Sequence, residues 1–170
     1  MRLPQYPLTC IAPIRQGRQP DLHAVLRKLA ERRAAGERVA IEEIGTIHVA
    51  RWVLLAPDQV PWLTRPCLLF MSHFDGTWES YLDRFIDQDW EGLDSIFGLC
   101  EGYPADGARN RTAFKQYVRD HEIIPLSDLA LTRVFPYCAY EDSTVTQVRK
   151  ALKVRKRLQG PIRDVLTDLL

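Results

Sequence analysis

No stretch of this chain approaches the roughly 18 to 20 consecutive apolar residues that span a bilayer, so no transmembrane helix is expected. Charge of one sign is also lacking. The formal net charge is +1, and no global field draws the chain to nucleic acid or to an acidic surface. The four cysteines, at 10, 67, 100 and 138, form no CxxC pair, which removes the common zinc and dithiol frameworks. Pro4, Pro7 and Pro13 interrupt the early apolar residues, so a secretory leader is not expected. Free thiols in a reducing, cytoplasmic setting follow from that reading. Walker A, GxGxxG, GxSxG, HExxH and EF-hand patterns are all missing, as are internal repeats and low-complexity segments.

The composition that remains, 46% apolar and 26% charged, suits a globular chain whose 170 residues supply one core. Residues Leu8 to Ile14 read as a first strand. Asp21 is placed to cap a helix from Leu22 to about Ala35, with Leu22, Val25, Leu26 and Leu29 as its buried stripe. Val39 to Ile44 reads as a short strand or an irregular approach. Thr46 to Leu55 and Cys67 to Phe74 are the second and third main strands, joined by a proline-rich loop. Thr77 caps a helix that buries Trp78, Leu82 and Phe85, and a second helical piece follows over Trp90 to Leu99. Thr112 to His121 is a further helix, and Leu131 to Tyr140 a fourth strand with Pro136 at an edge or bulge. Thr144 and Gln147 form a capping box for a last, basic helix that Gly160-Pro161 should interrupt.

The order β-α-β-β-α-β, with extra helices before and after the last strand, predicts an α+β, ferredoxin-like antiparallel sheet. Residues 1–142 would form that domain, and 143–170 a C-terminal basic helix and amphipathic tail. On the second strand, Ile47, Val49, Arg51, Val53 and Leu55 should point one way and Thr46, His48, Ala50, Trp52 and Leu54 the other. Neither set is polar, so both sheet faces need cover, from helices, a ligand or a second copy.

Leu8–Ile14 (LTCIAPI), Ile47–Trp52 (IHVARW), Leu69–Gly76 (LFMSHFDG) and Cys100–Pro104 (CEGYP) together resemble an uncharacterised group of bacterial ferredoxin-like proteins. The broader pattern resembles the dimeric α/β barrels, which include antibiotic-type monooxygenases, chlorite dismutases and dye-decolorising peroxidases. The resemblance implies the fold and a homodimer. His73-Phe74-Asp75-Gly76-Thr77 is similar to the D-G-T of the peroxidases, which brings haem as a cofactor. Ser72 and His73 stand where that motif has its leading Gly, and His121 alone follows as a proximal histidine, so haem is not favoured.

The candidate catalytic residues are His48, Arg51 and Asp75, ionisable groups at strand ends beside apolar surface. His73, Glu101 and Tyr103 are candidate ligand-binding residues. Each has a plain structural reading as well. Asp75-Gly76 is a turn, Gly102 and Pro104 close a helix, and the cysteines pack as small apolar groups. A His48/His73 pair supplies two ligands, which do not make a metal site.

Two function classes follow. The first is a small-molecule-binding or redox-related domain with a pocket beside the sheet. The second is a non-catalytic module that dimerises through the sheet face and docks a protein partner. Nucleic acid is not an expected partner, because the basic helix lacks interleaved aromatics and a binding motif.

Overall fold

The computed structural model describes residues 5–123, 140 and 143–167, with side chains through residue 158. Three nine-residue strands, β1 (Gln5–Pro13), β2 (Ile47–Leu55) and β3 (Cys67–Asp75), form an antiparallel sheet in the order β1-β3-β2. Five helices accompany them: α1 (Gln19–Ala34), α2 (Ala40–Glu43), α3 (Trp78–Phe97), α4 (Arg111–His121) and α5 (Val145–Thr167). The expected fourth strand, Leu131–Tyr140, lies outside the described residues but for Tyr140. The outer edge of β1 is nonetheless occupied in part. Glu101 N–H donates to Pro13 O at 2.8 Å, and Ile123 N–H donates to Thr9 O at 2.8 Å.

The core lies between the sheet and α3. Leu8, Cys10 and Ala12 of β1 and Leu68, Phe70 and Phe74 of β3 share one face and are buried. Against them α3 sets Trp78, Tyr81, Leu82, Phe85 and Ile86, at the i, i+3, i+4, i+7, i+8 spacing of one helical stripe. Phe74 stacks on Tyr81 with centroids 3.8 Å apart, and the Tyr81 hydroxyl donates to Ser72 Oγ at 2.9 Å. That bond satisfies the polar atoms the packing buries.

Thr77 caps α3 as expected, accepting from Ser80 N–H at 3.2 Å. The two helical pieces read from the sequence are one run bent at Asp89, whose φ of −154° is not helical. Asp89 Oδ1 accepts from Gly92 N–H at 3.1 Å and so starts the second half. α4 starts at Arg111, one residue before the expected start, is capped by Asn110, and buries Phe114, Tyr117 and Val118.

Several expectations are corrected. α1 starts at Gln19, because Pro20 suits a first turn and needs no N–H there. Asp21 is therefore inside the helix and pairs with Arg18 rather than capping. Only Leu22 of the expected stripe is fully buried. Val39–Ile44 is neither strand nor irregular: residues 40–43 make one helical turn, pinned by buried Val39 and Ile44. α5 continues through Gly160-Pro161: proline keeps the helical φ, at the cost of its own N–H bond and of crowding against the carbonyl four residues before it.

The faces of β2 also differ from simple alternation. A bulge lies between Ile47, which pairs with Phe74, and Val49, which pairs with His73. The extra residue puts Ile47 on the helix-covered side and His48 on the other, together with Val49, Arg51, Val53 and Leu55. The helices cover one face. The second keeps Val49 at 63% exposure.

Phe70 meets Trp52, Phe85 and Phe97 with centroids 5.0 to 6.1 Å apart. Phe70→Ala should cost about 3–5 kcal/mol in urea-unfolding free energy. A loss below about 1 kcal/mol would mean that the sheet–α3 layer is not the core.

Candidate functional site

Among the six sequence candidates, His48, His73 and Asp75 come together. Asp75 ends β3, and its side chain is buried between β2 and the start of α5. One oxygen, Oδ1, lies 2.8 Å from His48 Nε2, and the other accepts from Val145 N–H at 2.7 Å. The second contact satisfies a free amide in the first turn of α5 and sets a carboxylate at the positive end of its dipole. Within the helix, Thr144 and Gln147 form the capping box, with Gln147 N–H donating to Thr144 Oγ1 at 3.2 Å. The bulge turns His48 toward Asp75, which a regular strand would have prevented.

The ring of His73 lies 5.6 Å from that of His48. Burial holds the His73 imidazole below its ordinary pKa, the neighbouring His48 lowers it further, and Asp75 acts the other way. Among the described residues its Nε2 is buried with no hydrogen-bond partner. The cluster can hold a proton between an imidazole and a carboxylate. Both Asp75 oxygens, however, already serve the fold.

Arg51 is exposed on the same sheet face, opposite Met71 and beyond the Val49–His73 pair. Glu101 and Tyr103 are not part of the cluster. Gln5 pairs with Asp75 at one end of β1, and Glu101 bonds to Pro13 at the other, roughly 25 Å away along a strand. Glu101 makes an exposed ion pair with Arg65 at 2.5 Å. The Tyr103 hydroxyl donates to Asp94 Oδ1 at 2.5 Å, and its ring meets Phe114 and Tyr117 edge-on. Burial and the Asp94 carboxylate both push that phenol up, so it is a strut between α3 and α4. Gly102 is not the helix stop expected of it: α3 ends at Phe97 with Gly98 as its cap, Cys100 bridges to Ile14, and Gly102, at φ +71°, makes the turn that follows.

The residues do not fit a haem. Asp75 is committed to His48 and Val145, and Thr77 to the α3 cap. His121 donates through Nδ1 to Tyr117 O at 2.8 Å, and its ring packs on Tyr117 at 4.3 Å. The buried cysteines are not nucleophiles either: burial pushes the Cys10 and Cys100 thiols up to about 12.

A different site was missed. A cleft of 720 Å³ opens between α1, α2 and the bend of α3 on the helix-covered side. Trp52, Leu29 and Ile41 give it apolar surface, and Trp52 Nε1 is a buried donor with no partner among the described residues. Lys28, Arg32 and Arg38 stand along the α1 and α2 side together with Glu43, and Glu91 lines the α3 side. Asp89 stands at the bend, its carboxyl raised above the usual range chiefly by burial. The signals were present in the sequence: the weak apolar stripe of α1, and a tryptophan on the outer strand.

The depressed His73 pKa has a sign. Between the folded value and about 6.5 the unfolded chain binds the proton first, so stability falls as pH drops through that window. His73→Leu should therefore lose less melting temperature between pH 7.5 and 5.5 than the parent. An unchanged difference would remove His73 as a source of acid sensitivity. No protein-family model matches this chain, and comparison with the curated proteins and with the solved structures yields no match.

Proposed function

We propose that this chain binds a small organic anion with an apolar body in the cleft between α1, α2 and α3. The observation that carries this is the cleft itself. It has the size of a small-molecule site and an apolar floor, and its walls carry three cations, Lys28, Arg32 and Arg38, beside three carboxylates, Glu43, Asp89 and Glu91. Trp52 and Leu29 would take the apolar part. Lys28, Arg32 and Arg38 would take the charge. The frame for this would be the ferredoxin-like plan, which the β1-β3-β2 order supports. No redox step is assigned to the site.

The test is a thermal-shift screen of carboxylate and phosphate compounds, followed by titration of the parent and of Lys28→Ala. Lys28 is exposed, so its loss should leave melting unchanged while weakening a stabilising ligand about tenfold. Trp52→Phe should weaken the same ligand, with the packing lost on Phe70 read separately from the melting of the ligand-free protein. A ligand that stabilises the parent but is indifferent to both changes would place binding elsewhere and defeat the proposal.

The second sheet face supports a separate reading, self-association. Ile11, Leu69, Met71, Val49 and Val53 lie on it, and Val49 is well exposed. On that reading Val49→Lys shifts a dimer to monomer in light scattering. A monomeric parent at micromolar concentration would contradict it.

A further inference from the structure

α5 has only its first turn docked. Asp75 holds Val145 N–H, Val145 is buried, and Arg149 donates to Glu42 O at 3.2 Å. From Ala151 to Leu158 every residue is exposed, including Leu152 at 56% and Leu158 at 56%. Apolar side chains left in water along a helix ask for an occupant.

The charge pattern says which. Arg149, Lys150, Lys153, Arg155, Lys156 and Arg157 fall on this helix, and no acidic residue occurs from Val145 to Arg163. At about 100° per residue, Lys156, Arg149, Lys153, Arg157 and Lys150 share one arc of roughly 120°. Val154, Leu158, Ala151, Val148 and Leu152 share the other, with Arg155 among them. Among the described residues none of these cations pairs with a carboxylate. The basic arc is centred opposite the apolar one and borders it at both ends, so the cations at its ends, Lys156 and Lys150, and Arg155 within the apolar arc can extend their long side chains up to a charged plane while the apolar residues sink beneath it.

We infer that α5 is an interfacial helix that lies on an anionic lipid surface. A nucleic acid would use the cations and leave Leu152 and Leu158 in water. A protein groove would take the apolar arc and leave the five-cation arc opposite it in water. A surface of anionic headgroups over acyl chains uses both arcs at once. No helix among the described residues is long and apolar enough to cross a membrane, so the contact is with the surface. The small net charge of the whole chain does not oppose this, because the field near α5 is local and decays within a Debye length of about 8–10 Å.

The test is co-sedimentation of the full chain with vesicles of phosphatidylcholine alone and of phosphatidylcholine with phosphatidylserine, at low salt. Binding to the anionic vesicles and not to the neutral ones is expected, with release at roughly 0.5 M salt. Reversal of three cations (Lys150→Glu, Lys153→Glu, Arg157→Glu) should weaken it more than about a hundredfold. The pair Leu152→Ser and Leu158→Ser should weaken it about tenfold with α5 still helical by circular dichroism. All these side chains are exposed, so the fold is retained. Failure to bind anionic vesicles, or equal binding to neutral ones, overturns the inference. If the serine pair binds as the parent does and single-stranded DNA competes the vesicles off, α5 is a general polyanion site and not a lipid-surface helix.

Discussion

The packing of α3 on β3 sets the core against which α1, α2 and α4 are placed. Phe74 stacked on Tyr81, and Phe70 held among Trp52, Phe85 and Phe97, fix the helix against the sheet along its first half. Asp89 then bends it, and the second half turns to carry Leu93, Ile96 and Phe97 against α4 and the sheet. α1 has too little apolar surface to close over the remaining space. It buries Leu22 and leaves Val25, Leu26 and Leu29 half-covered. The cleft is the gap between a strongly held helix and a weakly held one.

The same contrast separates the two clusters of ionisable groups. His48, Asp75 and the α5 terminus form a closed set in which hydrogen bonds answer the carboxylate, and that set ties the sheet to the last helix. Lys28, Arg32, Arg38 and Asp89 line an open space. Arg32 and Arg38 spend part of their charge on Glu37 and Glu43 in exposed pairs, which are worth little and yield to a better partner.

Much of the fold was legible because local signals were strong. Thr77, Gly36 and the Thr144–Gln147 pair are caps with a single physical use, and each occupies that use. The apolar run Leu8 to Ile14 marks the first strand, which in the structure begins three residues earlier and ends at Pro13. The site was less legible. Alternation cannot show a bulge, so His48 and Arg51 were assigned to opposite faces although they share one. A pocket expected at the strand ends grouped Glu101 and Tyr103 with Asp75, while the chain carries them to the far end of β1 and into the α3–α4 seam. The cleft was hidden because it arises from what α1 fails to bury, and a deficit of packing shows only when its neighbours are in place.

The most direct measurement of the central claim is a crystal structure of the chain soaked with a mixture of small carboxylate and aromatic fragments. The account predicts fragment density on Trp52 between α1 and α3, with an anionic group toward Lys28 or Arg38. A structure in which Leu29 and Ile41 close onto Trp52, with fragments bound only elsewhere, would contradict it.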